Sequence, residues 1–377
     1  MMIETCFWIS LIGAVYSYFI YPLILVVLPK QKIATGPSDK LPYLSLIITA
    51  HNEEHRIREK LDNTLALNYP NELKEILVAS DGSTDQTNQI VEAYADQGVK
   101  LVHVKERKGK ENAQLAAIQA AQGEILVFSD VATQIPPEAL YNLVAAFNNP
   151  RVGALSSEDR FISQGGKVAG EGAYVKYEMW LRNLESRVNS LVGLSGSFFA
   201  ARKEVCEEWD IAVPSDFNTA LNCVSKGYIA VSDPMVLGYY PNIKDDSKEY
   251  QRKLRTVIRG MAAVVQKPVV LNPFRLGFFA IQVISHKIMR WLVPWFMLVL
   301  MATTLATYQE NPFYKFMLWA QLGFYLVAIA GLLFARLRNN ALFKLPFFFA
   351  QVNFAIADAG VRFLFGKRIT MWEPSKR

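Results

Sequence analysis

At 377 residues the chain exceeds one average core, and a length prior of about 150 residues per domain points to two or three structural units. Hydrophobic residues make up 51% and charged residues 20%, which excludes disorder and implies a membrane-embedded portion. The net charge of +6 is not a nucleic-acid footprint: residues 271–377 hold 12 Lys+Arg against 3 Asp+Glu, leaving 28 against 31 for residues 1–270. The positive excess belongs to the apolar tail, where it reads as flanks of membrane segments, and nucleic acid is not an expected partner.

The first element is residues 3–28, an apolar run in which only Glu4 is charged. It is long enough to cross a hydrocarbon core of about 30 Å at ~1.5 Å per residue. A cleaved leader would need a basic start and a small-residue cleavage site, whereas the run opens Met-Met-Ile-Glu and exits through Pro29-Lys30-Gln31-Lys32, so the expectation is an uncleaved anchor with its N-terminus outside. Lys30, Lys32 and Lys40 then place the following domain in the cytoplasm of a multi-pass membrane protein. Cys6, Cys206 and Cys223 include no CxxC pair and imply neither a disulfide framework nor a zinc site.

From residue 41 to about 245, short β-branched runs alternate with helical stretches, which predicts an α/β domain with a mostly parallel sheet. Residues 44–49 read as a buried strand, with His51-Asn52-Glu53-Glu54 opening a helix. Residues 75–80 read as a second strand, followed by Asp81-Gly82-Ser83-Thr84-Asp85 and a helix over 86–97. Strands at 99–104 and 124–128 enclose a helix at 111–121. Ligands of such sheets bind at the carboxyl ends of the strands. The polar residues expected there are Asn52 and Glu53, then Asp81, then Arg107, Lys108 and Lys110, then Asp130. Carboxylates and amides can hold a base, a ribose or a metal, and lysines on a glycine-containing loop suit a diphosphate. Taken singly, residues 81–85 equally describe a turn with a helix cap, and residues 107–110 a solvated basic loop.

Tyr174, Tyr177 and Trp180 recur at i, i+3 and i+6 of a helical stretch, as an apolar packing face would. Asp216, after Pro214-Ser215, suits an N-cap or first-turn position of a helix. Arg252, Arg255 and Arg259 share one helical face, fit for a diphosphate or for anionic headgroups. Beyond about residue 270, residues 273–290 read as an amphipathic interface helix. Membrane runs follow over 291–308, 316–335 and 345–365, the last carrying Asp358 and Arg362 at i, i+4. Residues 367–377 form a basic tail in which Trp372 is either a gate over the site or an interface anchor. Four crossings would leave this tail outside, against its Lys367, Arg368, Lys376 and Arg377.

The motifs in chain order are Asn52-Glu53, Ser80-Asp81-Gly82-Ser83-Thr84-Asp85, Arg107-x-Gly109-Lys110, Phe128-Ser129-Asp130, Gly193-x-Ser195-Gly196, Asp216 and Arg252-Lys253-x-Arg255. With flanking membrane segments, this order resembles family 2 glycosyltransferases, nearest to the membrane-bound polysaccharide synthases related to hyaluronan, chitin and cellulose synthases. The resemblance covers about residues 42–265 and implies a GT-A fold for residues 41–265, behind an anchor over residues 1–29 and ahead of membrane segments over 291–366. It implies an inverting glycosyltransferase that moves a sugar from a nucleotide-diphosphate sugar, UDP-sugar favoured, to a growing glycan or lipid-linked acceptor.

Carried over by position, Asp81 contacts the base, Lys110 the diphosphate, and Asp130 the ribose or a divalent metal, Mg2+ or Mn2+. Asp216 is the general base. Asn52, Glu53, Arg252 and Arg255 complete the nucleotide-sugar set, and Ser195, Gly196 and Trp180 the acceptor set. Three departures stand out. Asp130-Val131-Ala132 lacks the second carboxylate of the usual Asp-x-Asp; Arg252-Lys253-Leu254-Arg255-Thr256 lacks the tryptophan of Gln-x-x-Arg-Trp; Ser215 stands where an acid often precedes the base. A monosaccharide transferase acting on polyprenyl phosphate, and a non-catalytic nucleotide-sugar-binding subunit of a secretion complex, are the alternatives. Membrane lipids, and in some readings further secretion or synthesis subunits, are the other expected partners.

Overall fold

The computed structural model describes residues 1–31, 41–162, 173–241 and 246–369. The chain divides into two compact units. One comprises Met1–Val27, Asp245–Met261 and Val283–Arg368; the other comprises Leu28–Lys244, Ala262–Gln282 and Ile369–Arg377. The principal helices in chain order are α1 (Met2–Val27), α2 (Ile57–Leu65), α3 (Thr87–Glu92), α4 (Lys110–Ala120), α5 (Ala139–Phe147), α6 (Ala173–Val188), α7 (Ser215–Ser225), α8 (Asp246–Gln266), α9 (Phe278–Thr307), α10 (Pro312–Leu333) and α11 (Ala341–Leu364).

The larger unit is built on a seven-stranded sheet: β1 (Leu44–Ala50), β2 (Lys74–Asp81), β3 (Val99–Val104), β4 (Ile125–Asp130), β5 (Val152–Ile162), β6 (Phe198–Arg202) and β7 (Ile229–Pro241), in the order β3-β2-β1-β4-β6-β5-β7. The pairs β3-β2, β2-β1 and β1-β4 are parallel, as is β5-β7, while β6 runs antiparallel to both β4 and β5. Strands covered on both faces must be apolar on both. Leu44, Leu46 and Ile48 of β1 accordingly join Leu61, Val91, Leu140 and Leu143 on one side, while Ile47 joins Ala113, Ala117 and Phe128 on the other. Phe128 stacks on Phe199 at 4.7 Å and on Trp209 at 5.1 Å. Each such aromatic contact adds about 0.5–1.5 kcal/mol beyond burial, so the end of β4 is firmly seated.

Several element ends differ from the sequence expectation, each for a local reason. Residues 51–56 form a loop, with α2 starting only at Ile57, because Asn52 takes a left-handed φ of 51° and breaks the chain direction. β4 continues to Asp130, since the Asp130 amide donates to the Ser197 carbonyl at 2.9 Å and extends the ladder with β6. The helix expected over 86–97 stops at Glu92 and resumes as a 3-10 turn over Ala95–Gln97, closed by Gly98 at φ 86°.

In the other unit, Met2–Val27, Phe278–Thr307, Pro312–Leu333 and Ala341–Leu364 are long and apolar enough to cross a membrane. The expected interface helix and the span after it are one helical run over Phe278–Thr307, joined by a π turn at Ile284–Ile288. A matching π turn occupies Tyr16–Ile20 of α1, and the Tyr16 hydroxyl lies 3.0 Å from Ser285 Oγ. Widening the helix at these turns carries polar side chains toward each other, where each satisfies the other out of water. Arg290 sits over the Tyr18 ring at 4.9 Å. The i, i+4 pair forms, with Arg362 Nε donating to Asp358 Oδ1 at 2.7 Å, and the Tyr250 hydroxyl of α8 donates to Asp358 Oδ2 at 2.8 Å. Lys32, Lys40, Trp372, Lys376 and Arg377 lie outside the described residues.

Helix α1 packs on α9 through Gly13, where a Cβ would fall 2.6 Å from the Phe296 ring, whereas a Cβ on Gly323 of α10 would meet nothing within 4 Å. Gly13→Val therefore costs about 1–3 kcal/mol by overpacking and lowers the melting temperature in detergent. Gly323→Val leaves it unchanged; equal effects at both positions would contradict the α1–α9 packing.

Candidate active site

The carboxyl ends of β1, β2 and β4 bring Asn52, Asp81 and Asp130 to one edge of the sheet, with the loop before α4 and the Gly193–Ser197 segment beside them. Two loops interlock first. The Asn52 side chain accepts the Thr84 amide at 2.8 Å, the Glu53 amide donates to Thr87 Oγ1 at 2.8 Å, and the Glu54 amide donates to Asp85 Oδ2 at 3.1 Å. Burial pushes the Asp85 carboxyl up, but the Thr87 hydroxyl and the amides of Thr87 and Glu54 outweigh it and hold the group below its ordinary range. Glu53 is buried and pairs with Arg56 at 2.5 Å.

Asp81, 3% exposed, accepts the amides of Lys108 and Gly109, both at 2.9 Å. These amides stand at the N-terminal end of α4, a position that favours an anion. The anion they hold is Asp81 itself, which fastens the basic loop 105–109 to β2. Gly82 completes this fastening: its φ is 58°, and a Cβ there would fall 2.8 Å from the Arg107 amide.

Lys110 opens α4 behind Gly109, which caps the helix at φ 104°. Its ammonium is almost buried and donates to Asp130 Oδ1 at 2.5 Å and to the Gly196 carbonyl at 2.8 Å. Gly196 in turn meets Asp216. Its own would-be Cβ lies 3.1 Å from Asp216 Oδ2, and Asp216 Oδ1 accepts the Phe217 amide at 2.8 Å in the first turn of α7. Lys110, Asp130, Gly196 and Asp216 thus form one contiguous group: a cation, a carboxylate on each side, and a glycine at the narrowest approach.

Ser195 is buried beneath this group and Trp180 of α6 is 43% exposed, its ring 5.9 Å from that of Tyr177. Arg252 and Arg255 lie on α8 in the membrane-spanning unit. Among the described residues no group of three or more His, Cys, Asp or Glu could hold a metal; Asp130 is the ligand that the resemblance implies.

Lys60 escaped the sequence reading. It is fully buried in α2 and donates to Ser129 Oγ at 2.7 Å and to the Thr133 carbonyl at 2.6 Å, tying α2 to the turn that follows Asp130. A signal existed. Ile57, Lys60, Leu61 and Thr64 recur at i, i+3, i+4 and i+7, so the lysine occupies the apolar face of the helix.

The sequence profile of glycosyl transferase family 2 matches residues 45–209. The poly-beta-1,6-N-acetyl-D-glucosamine synthase of Staphylococcus epidermidis is 26% identical over 216 residues, covering 54% of this chain and 50% of the relative. The synthase of the same name from Staphylococcus aureus (strain COL) is 25% identical over 241 residues, covering 61% and 56%. The chain therefore spans about half the length of the curated relatives it matches. A mannosyltransferase from Pyrobaculum calidifontis, solved in complex with GDP-Man and Mn2+, shares the fold with a TM-score of 0.73 at 21% identity, over 97% of this chain and 100% of that one.

Burial drives the Lys60 ammonium down to about 7, against the pull of Asp130, which raises it. The folded value lies below the unfolded 10.5, so the unfolded chain binds more protons between the two and stability rises with pH across that window. The melting temperature of the wild type relative to Lys60→Met should climb between about pH 7 and pH 9, followed in detergent; a flat difference would show a solvated lysine.

Proposed function

We propose that this chain, whose residues 45–209 form a glycosyl transferase family 2 domain of GT-A fold, is an integral-membrane inverting glycosyltransferase. It transfers a sugar from a nucleotide-diphosphate sugar to a growing glycan in exopolysaccharide or cell-envelope polysaccharide biosynthesis. The observation that carries this reading is the Lys110 ammonium, which bridges Asp130 and the Gly196 carbonyl while Asp216 abuts the same glycine. One small site then offers a cation for a departing diphosphate and a carboxylate for an arriving hydroxyl.

In that reading the acceptor oxygen attacks the anomeric carbon, its proton passes to the Asp216 carboxylate, and the bond to the diphosphate breaks on the opposite face, inverting the centre. Lys110 meets the charge that develops on the leaving diphosphate. Asp81, the candidate contact for the base, also fixes the loop that presents Lys110, and Asn52 and Glu53, candidates for the nucleotide sugar, fix the facing loop, where base and ribose would lie. Arg252 and Arg255 remain candidates for the diphosphate, and Trp180, Ser195 and Gly196 for the acceptor side.

A divalent ion, Mg2+ or Mn2+, fits as one held mostly by the diphosphate, with Asp130 as its protein ligand. Lys110 meets that carboxylate at Oδ1, and such ions commonly bind through one or two carboxylates plus phosphates. When bound, the ion would neutralise the leaving group. Lys30, just after α1, supports a cytoplasmic catalytic domain. The N-acetylglucosamine polymer in the names of the staphylococcal relatives supports a UDP-sugar donor. A single transfer to polyprenyl phosphate is favoured instead by Thr256, which stands where a stacking tryptophan is expected and donates its hydroxyl to the Arg252 carbonyl at 2.9 Å.

Membranes carrying the protein, incubated with a panel of nucleotide sugars and analysed by mass, should yield a ladder of oligosaccharides; one lipid-linked sugar would select the polyprenyl reading. Asp216→Asn should slow transfer by roughly 10²- to 10⁴-fold while nucleoside diphosphate still binds. Unchanged turnover would remove Asp216 from the mechanism.

A further inference from the structure

Beneath the segment that carries Gly196 lies a buried polar network around Asp159 and Arg182, neither of which enters the steps above. Asp159 of β5 accepts three hydroxyls on Oδ1: Ser195 at 2.6 Å, Ser197 at 3.1 Å and Ser157 at 3.2 Å. Its Oδ2 faces Arg182 Nη1 of α6 at 3.9 Å, with that arginine 8% exposed. Arg182 also donates through Nη2 to Ser156 Oγ, and Ser156 Oγ accepts the Ser195 amide at 2.7 Å. Asp159 therefore holds Ser195 and Ser197 by their hydroxyls, and Arg182 reaches the Ser195 amide through Ser156 Oγ.

Residues 194–197 touch Lys110, Asp130 and Asp216. The Gly196 carbonyl takes Lys110, the Ser197 carbonyl takes the Asp130 amide at 2.9 Å, and the Leu194 amide donates to the Asp216 carbonyl at 3.3 Å. A shift of the segment moves the base relative to the Lys110–Asp130 pair.

We propose that Asp159 is the positioning residue for sugar transfer, acting through Ser195 and Ser197 to set the separation between Asp216 and the Lys110–Asp130 pair. This rests on the glycosyltransferase reading above. A carboxylate suits the task because it only accepts, so each serine hydroxyl is forced to donate to it and has one orientation. Arg182 offsets the buried charge, and breaking such a pair by removing one member strands the other. Burial pushes the Asp159 carboxyl up, opposed by Arg182 and by the hydroxyls of Ser195, Ser197 and Ser157.

The test uses the full chain, with Asp159→Ala, Asp159→Asn, Ser197→Ala and the double variant Asp159→Ala/Ser197→Ala. Asp159→Ala should lower kcat by about 100-fold, as a misplacement remote from the reacting atoms can, while the Kd for UDP changes less than about 3-fold. Asp159→Asn keeps an acceptor oxygen and should recover part of the rate. The double variant should be no slower than Asp159→Ala alone, because both changes act through one segment. Wild-type kcat in Asp159→Ala, or fully additive losses in the double variant, would overturn the proposal.

Hydrogen exchange gives a reading that needs no turnover. The peptide spanning residues 190–200 should exchange faster in Asp159→Ala and peptides from β1 and β2 should not; unchanged exchange in that peptide overturns the proposal on its own. Absence of wild-type turnover with every donor would instead overturn the glycosyltransferase reading. If Asp159→Ala does not accumulate, kcat and exchange in Ser197→Ala decide in the same way.

Discussion

A buried ammonium is stable only where oxygens replace its water, and the Lys110 side chain obtains them from Asp130 Oδ1 and the Gly196 carbonyl. That requirement ties three elements of the larger unit together. It brings the start of α4 against the end of β4, and both against the segment that leads into β6. The position of Lys110 is itself set from the other side, since Asp81 holds the amides of Lys108 and Gly109 and leaves the loop no freedom to lift away. Removing either carboxylate would therefore strand a cation or unfasten a loop, each costing more than the net worth of the contact.

Apolar layers make this polar arrangement affordable. Phe128, Phe199 and Trp209 stack directly behind Ser129 and Asp130, and the Trp209 indole donates to the Glu111 carbonyl at 3.0 Å. The strand end and the first turn of α4 are thus fixed to one another by a ring that excludes water. Lys60 enters from the opposite face and closes the turn beyond Asp130. The site is rigid because its backbone is held from both sides of the sheet, the condition under which a small misplacement matters for transfer chemistry.

Much of this was legible in the residues, because parallel strands buried on both faces leave continuous apolar runs and their ends are marked by polar residues. Residues 99–104 and the placement of Asp81 and Lys110 at strand and loop ends follow from that alone. Lys60 and Asp159 were hidden for a different reason. A lysine in a helix reads as a solvated face and an acid in a polar run as a strand edge, and only the three-dimensional neighbours show that both are buried. The antiparallel β6 was equally hidden, since nothing in Phe198–Arg202 encodes direction. In the unit with the four helices long and apolar enough to cross a membrane, hydropathy marks the same runs; at Ile284–Ile288 the residues Ser285, His286 and Lys287 suggest an interface, and in the structure Ser285 and His286 are buried where the helix runs on through a π turn.

The departure at Asp130-Val131-Ala132 bears on how such a site keeps its charge in balance. Two neighbouring carboxylates repel, and one of them is driven toward protonation unless a cation stands by. Here the second carboxylate is absent, Val131 is buried in the apolar core, and the cation beside Asp130 is a side chain of the protein itself. The Lys110 ammonium lies 2.5 Å from Asp130 Oδ1, so the protein's own side chain faces the charge at this strand end. Under the transfer reading, the incoming diphosphate is what unbalances the charge, and a divalent ion is called for by the donor more than by the fold. Asp216 stands apart from that pair, with Gly196 between them. Gly196 keeps this approach open, since a Cβ there would fall 3.1 Å from Asp216 Oδ2, the carboxylate that would receive the proton under the transfer reading.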